Sequence, residues 1–145
     1  MIVVILVLVM AIGGLIMVIT TMSKNAGSGG TGEIPPEELE LLMLAEVVTS
    51  NLEIGQDNIA HIVRAALTFE IHNKDDSYDT FIENFNNKQV IIRDEIIKIL
   101  RRTTYETLTQ AGAQEQLSNE IKDTINALFD TQIIQKVYFA ELFVQ

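Results

Sequence analysis

The stretch IVRAALTFEI, Ile62 to Ile71, decides how the chain is read. Val63, Ala65, Leu67, Phe69 and Ile71 alternate with Arg64, Ala66, Thr68 and Glu70. A period of two is that of a strand with one face buried and one wet. The polar run Asn73 to Ser77 ends it. Upstream, Val47 to Ile54 reads as a second strand, with Val48, Leu52 and Ile54 on one face, and Gly55 to Asn58 reads as the turn between the two.

Downstream the period changes. Tyr78, Phe81, Ile82 and Phe85 share a helical face. Past Asn86 and Asn87 the pattern resumes at Val90 with Ile92, Ile96 and Leu100, as one kinked helix or two. Thr103 to Leu108 is a connection and Thr109 a plausible cap. Leu117, Ile121, Ile125 and Leu128 then recur every three or four residues. Gln135 to Gln145 is a strand rich in aromatic and β-branched residues. Strict alternation puts Val137, Phe139 and Phe143 on one face, and Tyr138, Ala140, Leu142 and Val144 on the other. Apolar residues on both faces suggest a strand covered on both sides. The order β-β-α-α-β predicts an α+β fold, an antiparallel sheet with helices on one face. Glu33 to Glu46 is locally ambiguous. Pro35, Pro36, Glu37 and Glu38 look like a helix start that Leu39, Leu41, Leu42, Met43 and Leu44 could continue.

At the N-terminus, Ile2 to Met22 contains no charged residue. As a helix its 21 residues extend roughly 31 Å, the thickness of a bilayer's hydrocarbon core. This predicts a single transmembrane helix over residues 1–22. A signal peptide would want a basic start and a cleavage site. A pilin-type stem would want an early acid and an unbroken helix. Ser23 to Gly32 is glycine-rich and reads as a flexible tether, so the organisation is anchor (1–22), linker (23–32) and one domain (33–145). Lys24, the one basic residue near the run, points the C-terminal side inward by the positive-inside rule. Ala11, Gly13 and Gly14 offer a side where helices could approach closely.

All 20 acidic and all 10 basic residues lie beyond Met22, so the domain carries the net charge of −10. Such a surface repels phosphate backbones, which argues against nucleic-acid binding. The absence of cysteine excludes disulfides, thiolate nucleophiles and cysteine-based zinc sites. His61 and His72 stand at opposite ends of the alternating strand and on opposite faces, so one metal cannot easily take both. His72 with Asp75 and Asp76 could hold a divalent ion, but a solvated turn is the better reading. The run Asp75, Asp76, Asp79 and Glu83 lacks the spacing and glycine of a calcium loop. Ser77 and Ser118 have no adjacent histidine, and Gly27 to Gly32 lacks the lysine of a phosphate loop. No catalytic, cofactor or metal residues are therefore expected, and no cofactor.

Charge is unevenly spread. Glu33 to Asp57 carries seven acids and no basic residue, while Arg93 to Arg102 carries four basic residues and two acids. If acidic and basic edges of neighbouring copies meet head to tail, Arg101 or Arg102 would face the acidic region of the next subunit.

An ordered set of residues resembles one family. Arg93 and Asp94 open an apolar helix ending at Leu100. Thr104 to Thr109 with Leu108, then Gly112 and the amphipathic helix through Leu128, follow. The chain closes on Val137, Tyr138 and Phe139, then Phe143, Val144 and Gln145. Asn51 and Leu52 on the first strand match as well. This resembles the flagellar basal-body-associated protein FliL family, most strongly over residues 88–145. Glu33 to Ala45 departs from it, because the family usually has a short extended segment there. The resemblance implies a stomatin/prohibitin-like (SPFH-like) domain in the periplasm on a single-pass bacterial inner-membrane anchor. It implies a homo-oligomer, as a ring, associated with flagellar stator subunits, supporting torque generation and motility without enzymatic activity. A general stomatin-like membrane scaffold unrelated to motility is the alternative.

Overall fold

A computed structural model of the chain describes residues Ile34–Gln145. The anchor and linker expected over residues 1–32 lie outside the described residues. Among the described residues no helix is long and apolar enough to cross a membrane.

The alternating stretch becomes the central strand. It is β3 (Ile62–His72), preceded by β1 (Leu39–Met43) and β2 (Val48–Asn51). Helices α1 (Tyr78–Asn87), α2 (Gln89–Arg101), α3 (Tyr105–Leu108) and α4 (Ala113–Leu128) follow, and β4 (Ile134–Val144) ends the order. The sheet is antiparallel. β4 lies along one edge of β3, from Val63↔Val144 to Ile71↔Ile134. The other edge is shared end to end by β1 (Leu39↔His72 to Met43↔Thr68) and β2 (Val48↔Ala65 to Asn51↔Ile62). The Leu44 N–H, donated to the Leu67 carbonyl at 3.1 Å, bridges the gap between them. The α+β class with helices on one face is as the periodicity predicts.

Four expectations are corrected. The helix start at Pro35 is a single 3-10 turn, Pro36–Glu38, and Leu39 is already extended (φ −104°, ψ 138°). The leucines that follow form β1 because β3 offers them an open ladder, a tertiary gain that local helix propensity does not see. The strand read over Val47–Ile54 ends at Asn51, and Leu52 is buried whereas Ile54 is 59% exposed. Thr109 does not cap the last helix. It ends α3, its hydroxyl donating to the Tyr105 and Glu106 carbonyls, and Gly112 at φ +80° precedes α4. Thr104 caps α3 instead, accepting the Thr107 N–H at 3.2 Å. Finally, strict alternation along β4 fails at Ala140. The register passes from Ala66↔Glu141 to Leu67↔Phe139, so Ala140 is skipped as a bulge. One extra residue inverts every side chain beyond it. Leu142 and Val144 therefore pack inward with Val137 and Phe139, and Phe143 turns outward with Tyr138. Among the described residues no element packs on the outward face of β4.

The helices are two over Tyr78–Arg101, broken at Lys88 (φ −118°, ψ 23°). Their apolar faces close the core over β3. Phe69 meets Phe85 edge-on at 5.5 Å, and Phe81 meets Phe129 likewise at 5.7 Å. Ile92, Ile96, Ile99 and Leu100 of α2 and Leu117, Ile121 and Ile125 of α4 are buried beside them. Each such side chain contributes about 1.5–3 kcal/mol on leaving water.

Helix α4 also serves the free edge of β4. Ser118 donates its hydroxyl to the Val137 carbonyl. The Asn126 side chain donates to the Ile134 carbonyl at 3.0 Å and accepts the Ile134 N–H at 3.1 Å. Eight residues apart on one helical face, the two side chains stand in for a neighbouring strand. Covering an edge in this way protects it from pairing with other chains.

Candidate interaction surface

The helices cover one face of the sheet, and among the described residues nothing covers the other. The register places Leu41 and Met43 of β1, Ile62, Arg64, Ala66, Thr68 and Glu70 of β3, and Lys136, Tyr138, Glu141 and Phe143 of β4 on that face. Leu41, Met43, Ile62, Tyr138 and Phe143 are exposed, Met43 by 73%. The polar groups between them are already paired. The Tyr138 hydroxyl donates to Glu70 at 2.8 Å, a bond that raises the Tyr138 pKa. Lys136 lies 4.9 Å over the Tyr138 ring, and Arg64 meets Glu141 at 3.5 Å. Pairing lowers the cost of drying these charges without abolishing it.

A second exposed apolar element is the loop between β2 and β3. Its base is held by Leu52 N–H to the His61 carbonyl (2.9 Å) and Glu53 N–H to the Thr103 carbonyl (3.0 Å). Its turn is held by Glu106 of α3, whose Oε1 accepts the N–H groups of Gln56 (2.7 Å) and Asp57 (3.2 Å). Hydrogen bonds from its own backbone N–H, and from Asp57, Thr104 and Gln56, lower the Glu106 pKa. His61 stacks on Tyr105, with centroids 4.2 Å apart, and its Nε2 lies 2.7 Å from Asp57 Oδ2. That hydrogen bond, with the one from the Ile59 N–H, lowers the Asp57 pKa. Ile54 and Ile59 project from the loop into solvent.

The structure distributes the residues singled out in the sequence. Gly112, Val137, Tyr138 and Phe139 come together on a groove of about 760 Å³ between the start of α4 and β4. Leu52 and Val137 are buried in the core, and Asn51 ends β2 at the surface. Arg93 pairs with Glu46, and Asp94 with Lys98 at 2.8 Å, on the far side of the domain's sheet from β4. Arg102 pairs with Glu120 of its own chain, and Arg101 is exposed with no ion pair among the described residues. His61 and His72 are not brought together, since His72 bonds Glu38 at 3.3 Å. Asp75 accepts from both the N–H and the hydroxyl of Ser77, which identifies it as a turn-forming residue. Among the described residues no three of His, Asp and Glu are placed to hold a metal. The loop around Glu106 was missed in the sequence, because Gln56 and Glu106 are fifty residues apart.

Fold and surface together define a small α+β domain: helices close one face of an antiparallel sheet, and exposed apolar side chains lie on the other. The chain matches the family model described as flagellar basal body-associated protein FliL over residues 42–145. It is also similar to the flagellar protein FliL of Aquifex aeolicus (strain VF5), at 28% identity over 82 residues, which is 57% of this chain and 48% of that one. The matched region thus spans about half of that relative's length. The chain belongs to the FliL family of flagellar basal body-associated proteins. The match begins at residue 42, so most of Glu33–Ala45 lies outside it.

Proposed function

We propose that this chain is a non-enzymatic scaffold of the flagellar motor that self-associates and supports the stator units during torque generation. Membership in a family of flagellar basal body-associated proteins supports this reading. The observation that carries the finer reading is the open sheet face, with exposed Leu41, Met43, Ile62, Tyr138 and Phe143 among self-paired polar groups. In this reading residues 2–22 anchor the chain in the inner membrane, and the domain, of SPFH-like type, stands in the periplasm. Copies assemble as a ring, and the ring favours the active arrangement of the stator only by binding it better than the inactive one.

The experiment is crosslinking of the full-length chain in cell membranes, followed by capture of stator subunits. Stator subunits recovered with the chain, and impaired swimming on deletion, are expected. Crosslinks confined to other membrane proteins, with normal swimming, would instead favour a general membrane scaffold.

A further inference from the structure

Protection of the β4 edge stops halfway. Ser118 and Asn126 of α4 bond the outward groups of Val137 and Ile134. Beyond the Ala140 bulge the strand runs regular again, from Ala66↔Glu141 to Val63↔Val144. Gln145 exchanges both main-chain bonds with Ile62 at 2.9 Å, so Gln145 and Phe143 turn their N–H and C=O toward β3. By the same alternation Leu142 and Val144 turn theirs away, and among the described residues nothing bonds them. Their side chains are half-buried on the helix side, while Phe143 between them is exposed on the open face. Glu141–Gln145 carries neither the lysine nor the proline that commonly blunts an edge, and its one charge, Glu141, is paired with Arg64.

We propose that Glu141–Gln145 of one copy pairs antiparallel with the same residues of a second copy, about a two-fold axis at Phe143, joining the two sheets into one. This names a contact for the self-association proposed above and rests on it. Three observations carry it. The first is the main chain: an open edge is answered by another extended strand, and β4 turned about a two-fold offers the pattern it needs, Leu142 opposite Val144 of the second copy. The second is the register. Phe143 then meets its own counterpart, Glu141 lies opposite Gln145, and no like charges face each other. On the inner side Leu142 and Val144 gain the apolar cover that their own helices leave incomplete. The third is local charge. A net charge of −10 repels a second copy, yet on the open face of β3 and β4 Arg64 and Lys136 balance Glu70 and Glu141. The β2 edge is a poorer mate, because the Asn51 carbonyl is already taken by the Ser50 hydroxyl. The contact is isologous and closes on a pair, so a ring would be built from pairs through a second surface.

The chain has no cysteine, so introduced thiols report this pairing alone. In the two-fold register the Phe143 positions form a close non-hydrogen-bonded pair, with Cα atoms about 4.5 Å apart, within disulfide range. The Glu141 positions lie about 14 Å apart along the strands. The full chain is expressed as Phe143→Cys or Glu141→Cys and oxidised in membranes. Phe143→Cys should give a disulfide dimer at least several-fold above Glu141→Cys alone. Differently tagged Glu141→Cys and Gln145→Cys chains, which keep Phe143, should give a mixed dimer when co-expressed. Equal dimer from Phe143→Cys and Glu141→Cys alone, or no mixed dimer, overturns the proposal. Slow exchange of the Leu142 and Val144 amides without a Phe143→Cys dimer would show a different strand on the edge and overturn it as well. Oligomers persisting in detergent without these disulfides would remove this contact and leave the self-association. The disulfide dimer without stator capture would keep the pair and remove the stator reading.

Discussion

The carboxylate of Glu106 occupies the space that a β-carbon at Gly55 would need. The contact explains why a glycine stands there: the turn must press its backbone against α3 for Gln56 and Asp57 to donate to Glu106. Gly55→Ala forces the Glu106 side chain aside and removes both bonds. The loop's amides should then exchange several-fold faster in hydrogen-exchange measurements, with the β3 amides unchanged. Glu106→Gln, which keeps a weaker acceptor, should fall between Gly55→Ala and the parent.

The same loop should respond to acid. Asp57 and Glu106 are both held below their ordinary pKa values in the folded chain. A depressed carboxylate contributes stability above its unfolded pKa and loses it as pH falls through the folded value. Protection of the Gln56 and Asp57 amides should therefore be flat from pH 7 to about 5 and decline below about 4. A decline already complete at pH 6 would contradict this assignment.

Asn126 is 2% exposed and makes both bonds to the Ile134 backbone. Asn126→Leu leaves a buried N–H and carbonyl without partners, at a cost of about 2–4 kcal/mol. Chemical denaturation should show a lowered midpoint at unchanged slope. Ser118→Ala strands one acceptor near Val137 and should cost about 1–2 kcal/mol.

The two faces of the sheet should separate stability from association. Phe69 is fully buried, and Phe69→Ala should cost about 3–5 kcal/mol. Phe143 is 54% exposed, so Phe143→Ser should lie within about 0.5 kcal/mol of the parent. If the open face is the docking surface, the Phe143 variant keeps its fold while crosslinking to its partners falls. Unfolding by this substitution would show that Phe143 belongs to the core.

The inward and outward faces of β3, and the buried faces of α1, α2 and α4 apart from Val90 and Leu128, which the period puts on those faces and the fold leaves exposed at the helix ends, were legible because each is a local period that burial repeats every two residues or every three to four. The family resemblance was legible for a related reason: it rests on residue types in order along the chain. Three features were not local, and the tertiary structure decided them. Leu39–Met43 is a strand because an edge of β3 lies open to it. Phe143 faces outward because one bulged residue, Ala140, inverts the alternation beyond it. Gly55 and Glu106 meet because α3 is carried back over the β2–β3 turn. Periodicity says which side of an element is apolar. Pairing partners, bulges and contacts between distant residues depend on the free energy of the assembled sheet, and no single segment contains that.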